Sequence, residues 1–279
     1  MGRGTAMLER TTTAALTARV AVLMPAYNPG PLINRSVESL VNNTHTCDIY
    51  IVDDGSKIPV TQILDAFPRT TVIRLEQNLG VAHALNVGLT TILKQPYEFV
   101  ARLDADDFCY PQRVARQVEF LDSNPGIAAV GSWVRFTDES TGETLYIAKT
   151  PDKPSLVRRG LNFNNVIMHP TSMIRTDVLK NVGLYSEHYP VAEDYELFRR
   201  IAQQFPLANI PSVLVDMRLS PGGVSLTRRR RQLFDRLRIQ SKYFRPLELA
   251  AWMGLIQTLA LFLIPRVFVT KFKSFRYGM

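Results

Sequence analysis

Cysteine is scarce in this sequence, and its scarcity excludes several classes of protein before any motif is considered. The 279 residues include only Cys47 and Cys109, too few for the disulfide framework of a small secreted domain. Neither lies at a zinc-like spacing from a histidine. We therefore expect two free thiols in a reducing compartment.

Other features are also absent. Residues 1–19 lack the apolar segment of a secretory signal peptide, and we expect them to form a flexible N-terminal tail. The chain contains no internal repeat and no low-complexity segment. The first predicted strand is followed by Pro-Ala-Tyr-Asn rather than by a glycine-rich phosphate loop.

Positive charge is concentrated at the C-terminus. The net charge is +8, but residues 228–279 carry twelve basic and two acidic side chains, so the remainder is close to neutral. A nucleic-acid-binding protein would instead spread basic residues over a folded face. The distribution predicts no nucleic-acid partner and a C-terminal tail that contacts an anionic membrane surface.

The first half of the chain alternates short β-rich segments with helical patterns. This order predicts an α/β fold with a mostly parallel, doubly wound, Rossmann-like sheet and helices on both faces. The second half is less regular, with strands near 127–136, 171–175 and 210–217 and a helix over 191–205. The elements predicted in the first half are strands at 20–24, 48–52, 71–75 and 97–103, with helices ending at Val41 and spanning 58–67 and 80–93.

The C-terminal residues have a different pattern. Residues 228–245 form a basic amphipathic pattern, and residues 247–264 are almost wholly apolar. About 18 residues is the lower limit for a membrane span, so we favour an interfacial or re-entrant hairpin over a full span. The predicted divisions are a tail at 1–19, an α/β domain at 20–227 that changes from a regular to a less regular pattern after residue 110, and a membrane-associating tail at 228–279.

Polar clusters follow three of the predicted strands, and the most acidic is Asp104-Ala105-Asp106-Asp107. Ligands of doubly wound sheets bind beyond the carboxyl ends of the strands, where these clusters should meet. Neighbouring carboxylates repel one another unless a cation or a proton intervenes, and Mg²⁺ or Mn²⁺ prefers oxygen ligands. The alternative is a solvated turn that caps the helix beginning near Pro111.

With these motifs in order, the chain resembles the family 2 glycosyltransferases, which have the GT-A fold. The resemblance covers about residues 20–230, and the particular form looks like the bacterial enzymes of exopolysaccharide, capsule and O-antigen synthesis. It implies a nucleotide-sugar-binding half at 20–110 and an acceptor-binding half at 111–227. It implies an inverting, metal-dependent transfer of a sugar from a nucleotide diphosphate to a hydroxyl of a lipid-linked saccharide. The matching segments are Met24-Pro25-Ala26-Tyr27-Asn28, Val52-Asp53-Asp54-Gly55-Ser56, Asn78-Leu79-Gly80, Ala101 to Asp107 and Ala192 to Leu197.

The resemblance implies a role for each matched residue. Asp106 would contact Mn²⁺ or Mg²⁺ directly, and Asp104 would contact it through water or bind the ribose. Asp53 could equally order its turn, Tyr27 could be an ordinary packed aromatic residue, and Asp107 could cap a helix. The implied donor-binding residues are Pro25, Ala26, Tyr27, Asn28, Asp53, Asp54, Asn78, Gly80, Asn86, Arg102, Asp104, Ala105 and Asp106.

Catalytic and acceptor residues follow from the same resemblance. Asp194 is the implied base, because an ionised carboxylate near a hydroxyl can take its proton, and Glu193 would position it or the acceptor. His169 is a candidate for acceptor contact, although a lone histidine is often structural. Arg218 and Arg228 could bring guanidinium groups to the diphosphate, or Arg228 could belong to the membrane-facing helix.

Two other functions stay open at this point. A sugar nucleotidyltransferase shares the sheet and the metal chemistry but needs the phosphate loop that is missing here, and it would release pyrophosphate. A non-catalytic nucleotide-sugar-binding scaffold would not hydrolyse a donor in the presence of Mn²⁺. The leading expectation is a peripheral or monotopic enzyme at the cytoplasmic face of a bacterial inner membrane. Its expected donor is a UDP-sugar, with GDP and dTDP as alternative carriers, and both a monomer and a homo-oligomer stay open.

Overall fold

The computed structural model describes residues 6–11, 18–219 and 229–264. Within these ranges the strands are β1 (Ala6–Thr11), β2 (Val20–Ala26), β3 (Cys47–Asp53), β4 (Thr70–Leu75), β5 (Phe99–Arg102), β6 (Phe108–Cys109), β7 (Ala129–Asp138), β8 (Thr144–Ala148), β9 (Met173–Arg175) and β10 (Leu207–Leu219). The helices are α1 (Leu32–Val41), α2 (Val60–Ile63), α3 (Val81–Ile92), α4 (Arg113–Ser123), α5 (Pro154–Gly160), α6 (Thr176–Val182), α7 (Glu193–Ile201), α8 (Arg229–Lys242) and α9 (Leu249–Leu263). A 3₁₀ turn spans His169–Thr171.

One sheet runs through the molecule in the order β1-β4-β3-β2-β5-β9-β7-β10-β6, and β8 pairs with β7. The four strands from β4 to β5 are parallel, as the alternating pattern predicts. In the second half the expectation of a mostly parallel sheet holds only for the long pair of β7 and β10, which run parallel. There β9 runs antiparallel between β5 and β7, and β6 and β8 are antiparallel to their neighbours.

Burial on both faces of the sheet explains its apolar strands. Along β2, Val20, Val22 and Met24 point into one core cluster with α1 and α4. Ala21 and Leu23 point into a second cluster with α3, α6 and α7. Successive side chains of a strand point to opposite faces, so a strand covered on both sides must be apolar throughout.

The N-terminal residues differ from the expectation of a tail at 1–19. Residues 6–11 form β1, which pairs antiparallel with β4, from Ala6 opposite Leu75 to Thr11 opposite Thr71. The outer edge of β4 would otherwise present unpaired backbone N–H and C=O groups. This long-range pairing leaves no local signature in residues 6–11.

Two other elements depart from the sequence pattern. The helix predicted at 58–67 shrinks to the single turn of α2, because the backbone becomes extended at Leu64. The two-residue strand β6 is too short for any periodicity to reveal, and it exists through its pairing with Val215 and Asp216.

Helices α8 and α9 form a C-terminal hairpin that contacts the body of the protein. Helix α8 buries Leu233 and Ile239. At Gly254 of α9, an added Cβ would overlap the carbonyl oxygen of Asn162, so only glycine permits this close approach. In the part of the chain that the structure describes, no helix is long and apolar enough to cross a membrane.

Candidate functional site

The loops that follow β2 and β3 are joined to each other. Asn28 has a φ of +48°, a left-handed conformation that asparagine tolerates better than most residues. Its backbone N–H donates to Ser56 Oγ at 2.8 Å, and its Oδ1 accepts from the Lys57 N–H at 2.9 Å. Pro25 and Ala26 are the last two residues of β2, and Tyr27, which follows them, is half exposed.

Asp53 orders the turn after β3. Its carboxylate is fully buried and accepts hydrogen bonds from the N–H groups of Ser56 and Val60. Arg74 of β4 donates to the same carboxylate at 2.7 Å. Of the two roles left open for Asp53, these contacts favour the ordering of the turn, because both oxygens are engaged inside the protein.

Asp54 connects the same turn to the start of α3. Its two oxygens accept from the N–H groups of Leu79 and Gly80, at 2.8 and 2.9 Å. Gly55 has a φ of +67°, and a Cβ there would lie 2.6 Å from the backbone nitrogen of Asn78. Residues 78–80 therefore pack directly against the Asp-Asp-Gly-Ser turn. The Asn78 side chain is exposed to solvent.

Asn86 lies farther along α3. Its Nδ2 donates to the Tyr185 carbonyl, and its Oδ1 accepts from the Tyr185 N–H, both at 2.9 Å. Asn86 thus links α3 to the loop before α7. A nucleotide would have to compete with this link, which weakens the expectation of a donor contact.

The end of β5 carries the acidic cluster. Arg102 is buried and forms an ion pair with Asp104, while its Nε and Nη1 have no hydrogen-bond partner. The Asp106 side chain is exposed to solvent. Desolvation by the surrounding protein, and then the charge of Asp104, nevertheless raise its pKa to about 6. Ala105 is buried, and its carbonyl accepts from Ser36 Oγ.

A divalent cation at this cluster would have to take part of its ligands from a bound phosphate. Among the described residues, no group of three or more histidine, cysteine, aspartate or glutamate side chains is arranged to hold a metal. Mg²⁺ in nucleotide sites is commonly held by one or two carboxylates together with substrate phosphates. The raised pKa of Asp106 marks a carboxylate that a nearby cation would stabilise in its ionised form.

Asp107 does not cap the following helix. Helix α4 begins only at Arg113 and has no side-chain cap, so the capping alternative is wrong. Asp107 Oδ1 instead accepts from the backbone N–H of Arg218 at 3.3 Å, and its Oδ2 is buried without a partner. This contact brings the end of β10 to the acidic cluster through the Arg218 backbone. Arg228 lies outside the described residues.

The two acids predicted for catalysis open α7. Asp194 Oδ2 accepts from Asn165 Nδ2 at 2.7 Å, and its Oδ1 accepts from the Tyr195 N–H at 2.6 Å. Burial raises the pKa of Asp194, while these hydrogen bonds and then Arg102 lower it. Glu193 is buried, and desolvation together with the charge of Asp194 raises its pKa to about 8. Asp194 is therefore better supported as an anion than Glu193.

His169 is part of the buried frame of the site. Its Nε2 lies 2.8 Å from the Tyr185 hydroxyl, and its ring meets Phe198 of α7 edge to face. Burial, and then the charge of Arg102, lower its pKa well below the usual range, so the ring is neutral. The structure gives His169 these internal partners, which are those of a structural histidine.

Arg102 brings the two ends of the site together. It pairs with Asp104 at the end of β5, and its charge also acts on Glu193 and Asp194 at the start of α7. The acidic cluster and the pair of acids thus share one electrostatic environment. Asn165 and Tyr185, which hold Asp194 and His169, were missed by the sequence reasoning because neither belongs to a motif.

The chain belongs to glycosyl transferase family 2, whose sequence profile matches residues 21–183. The family expected from the motifs is confirmed. Relatives include the amylovoran biosynthesis glycosyltransferase AmsE of Erwinia amylovora, 32% identical over 71% of this chain and 75% of that protein. The UDP-Gal:alpha-D-GlcNAc-diphosphoundecaprenol beta-1,3-galactosyltransferase of Escherichia coli is 30% identical over 73% of this chain and 75% of that protein.

Two further comparisons concern length and fold. An uncharacterized glycosyltransferase of Haemophilus influenzae is 30% identical over 72% of this chain, but the match spans only 65% of that protein. The crystal structure of S. aureus TarS 1-349 in complex with UDP-GlcNAc superimposes with a TM-score of 0.65 at 19% identity. That match covers 86% of this chain and 71% of TarS 1-349. The fold is thus a mixed α/β fold of the GT-A type.

Proposed function

We propose that this protein transfers a sugar, with inversion, from a nucleotide diphosphate to a hydroxyl of a lipid-linked saccharide. The observation that carries the proposal is the shared environment of Asp104, Arg102 and Asp194 at one edge of the sheet. A donor seated against the turns after β2 and β3 would have its diphosphate near the acidic cluster and its sugar facing α7.

The donor half of the reaction needs binding and charge neutralisation. Asp106 and Asp104 are the residues that would hold Mn²⁺ or Mg²⁺. When bound, the ion would act as a Lewis acid on the departing diphosphate. Family membership and the UDP-GlcNAc complex of TarS support a nucleotide-sugar donor, and we propose UDP as the carrier.

The acceptor half needs a base. Asp194 would take the proton of the attacking hydroxyl as the new bond forms, in a transition state of oxocarbenium character. The N-terminus of α7 stabilises its negative charge, and Asn165 holds its orientation. Glu193, neutral near pH 7, would donate a hydrogen bond to the acceptor rather than compete as a base.

Nucleotide binding tests this proposal. We expect UDP-sugars to raise the Tm of the protein in a concentration-dependent way and to do so more strongly with Mn²⁺ than with EDTA. Asp106→Asn should remove the part of the Tm increase that depends on Mn²⁺. Its metal affinity should fall by more than the roughly 10- to 100-fold that follows loss of a residue supporting a metal ligand.

The matched control is Asp177→Asn in the first turn of α6, an exposed acid away from the site. Its Tm should rise with UDP-sugars and Mn²⁺ as that of the wild type does. A Tm that no nucleotide sugar raises in the presence of Mn²⁺ would contradict the proposed function.

We further propose that the α8–α9 hairpin holds the enzyme on the cytoplasmic face of the inner membrane. Helix α9 buries only the stripe of Ala251, Gly254 and Thr258. Most of its other apolar side chains are exposed, Ile256 by 63% and Leu263 by 85%. An exposed apolar helix beside a basic helix suits insertion at the interface of an anionic bilayer.

Vesicle binding tests the hairpin. Ile256→Glu should weaken binding to phosphatidylglycerol vesicles at least about tenfold, because it removes an aliphatic side chain that would insert into the bilayer and adds a charge. The control Ile58→Glu places the same change at a residue that is 58% exposed elsewhere and should bind as the wild type. Cosedimentation with vesicles measures both variants, and equal binding by wild type and Ile256→Glu would refute the assignment.

A further inference from the structure

Arg236 of the hairpin is a half-buried arginine without a hydrogen-bond or ion-pair partner among the described residues. Arg231 and Arg238 of α8 both form ion pairs with the buried Asp235. The partial burial of Arg236, on the same helix, lowers the pKa of its guanidinium. An unpaired cation in such surroundings is costly unless an anion binds to it.

The neighbours of Arg236 show which way its side of α8 faces. Gln240 lies one turn farther along the same face of the helix, and its Nε2 donates to the Asn162 carbonyl at 2.8 Å. This face is therefore turned toward the segment around residues 162–165. Asn165 of that segment holds Asp194, and the charge of Arg236 interacts with Asp194 and Tyr195.

At the start of α7, where the acceptor would bind, the nearby side chains are acidic, so an anionic acceptor would need a cation there. Glu193 and Asp194 would repel a phosphate that approached the start of α7. Arg102, the nearby cation on the sheet side, is already paired with Asp104. Arg236, whose charge acts on Asp194, is a cation on the hairpin side.

We propose that Arg236 binds the phosphate or diphosphate group of a lipid-linked acceptor. The inference rests on the proposed function, and it deepens that function by assigning the acceptor's anionic group to a residue of the hairpin. Because the charge of Arg236 acts on Asp194, a phosphate held at Arg236 would keep the first sugar of the acceptor on the side of the site where Asp194 lies. The same hairpin presents the exposed apolar face of α9 to the lipid chain. The hairpin thus serves both as an anchor and as one wall of the acceptor site.

Calorimetric titration of the full chain in neutral detergent tests the inference, with farnesyl diphosphate and inorganic pyrophosphate as probes. Arg236→Gln should raise the Kd for farnesyl diphosphate at least tenfold, and Arg236→Lys should raise it less because the charge remains. Arg230→Gln removes the same charge from an exposed residue of the same helix and should leave the Kd unchanged. Pyrophosphate should show the same ranking of variants with weaker binding.

Titration with UDP and Mn²⁺ separates this inference from the proposed function. All three variants should bind UDP as the wild type does, which also shows that they are folded. An unchanged Kd for farnesyl diphosphate in Arg236→Gln would overturn the inference, as would an equal loss in Arg230→Gln. A parallel loss of UDP binding in Arg236→Gln would overturn it too. If the wild type bound no UDP, the proposed function itself would fail.

Discussion

Asp194→Asn is expected to lower the rate of sugar transfer about 10³-fold while leaving donor affinity unchanged. A general base typically contributes roughly 10²- to 10⁴-fold to a rate, and an amide cannot accept the proton. The side-chain oxygen of asparagine can still accept the Tyr195 N–H that Asp194 Oδ1 accepts now. The start of α7 should therefore keep its shape, even though the hydrogen bond from Asn165 Nδ2 is lost. Steady-state kinetics together with UDP titration measures the two effects separately.

Two further variants make this prediction sharper. Glu193→Gln should reduce the rate only a few-fold, because a carboxyl with a pKa of about 8 is already neutral near pH 7. Asp177→Asn is the structural match, since Asp177 Oδ1 also accepts the N–H of the next residue at the start of a helix. It should transfer sugar like the wild type. If Glu193→Gln were the more damaging of the two α7 variants, the roles of Glu193 and Asp194 would have to be exchanged.

Gly55→Ala is expected to destabilise the fold by about 3 kcal/mol or more and to weaken donor binding at least tenfold. The left-handed conformation at φ +67° costs a non-glycine residue about 1–2 kcal/mol. A Cβ there would also overlap the backbone of Gln77 and Asn78, and overpacking adds about 1–3 kcal/mol. Relief of the overlap would push the 77–80 segment away from Asp54.

Gly30→Ala separates the two causes. Gly30 has a similar φ of +63°, but nothing lies within 4 Å of its added Cβ. It should therefore lose only the backbone contribution and keep normal donor affinity. Urea denaturation measures the free energy of unfolding, and UDP titration measures the affinity. Equal stability of the two variants would show that the turn after β3 does not press against the 77–78 backbone.

Much of the donor side could be read from the sequence because its information is local. The apolar runs at 20–24, 48–52 and 71–75 predict strands buried on both faces, and they coincide with β2, β3 and β4. The polar groups after them fall at one edge of the sheet because parallel strands share their direction. The family followed from the order of these motifs, and the profile match confirms it.

Other parts of the site depend on contacts between residues far apart in the chain. Asp53 and Asp54 are adjacent and chemically identical, yet Arg74 and the turn occupy the first, while the second holds the start of α3. Asn86 matches a nucleotide-binding segment, but its amide meets the backbone of Tyr185, 99 residues away. Strand β1 likewise exists only through the edge of β4.

The sequence by itself determined the family, the parallel half of the sheet, the acidic cluster at the end of β5 and the basic, apolar character of the C-terminus. These features depend on residue type and spacing, which are visible in a short window. The tertiary structure decided which carboxylates form hydrogen bonds within the protein. It also placed the Arg236 face of α8 where the charge of Arg236 acts on Asp194. The physical reason is that the ionisation and the availability of a polar group depend on its burial and its partners, and those partners come from distant parts of the chain.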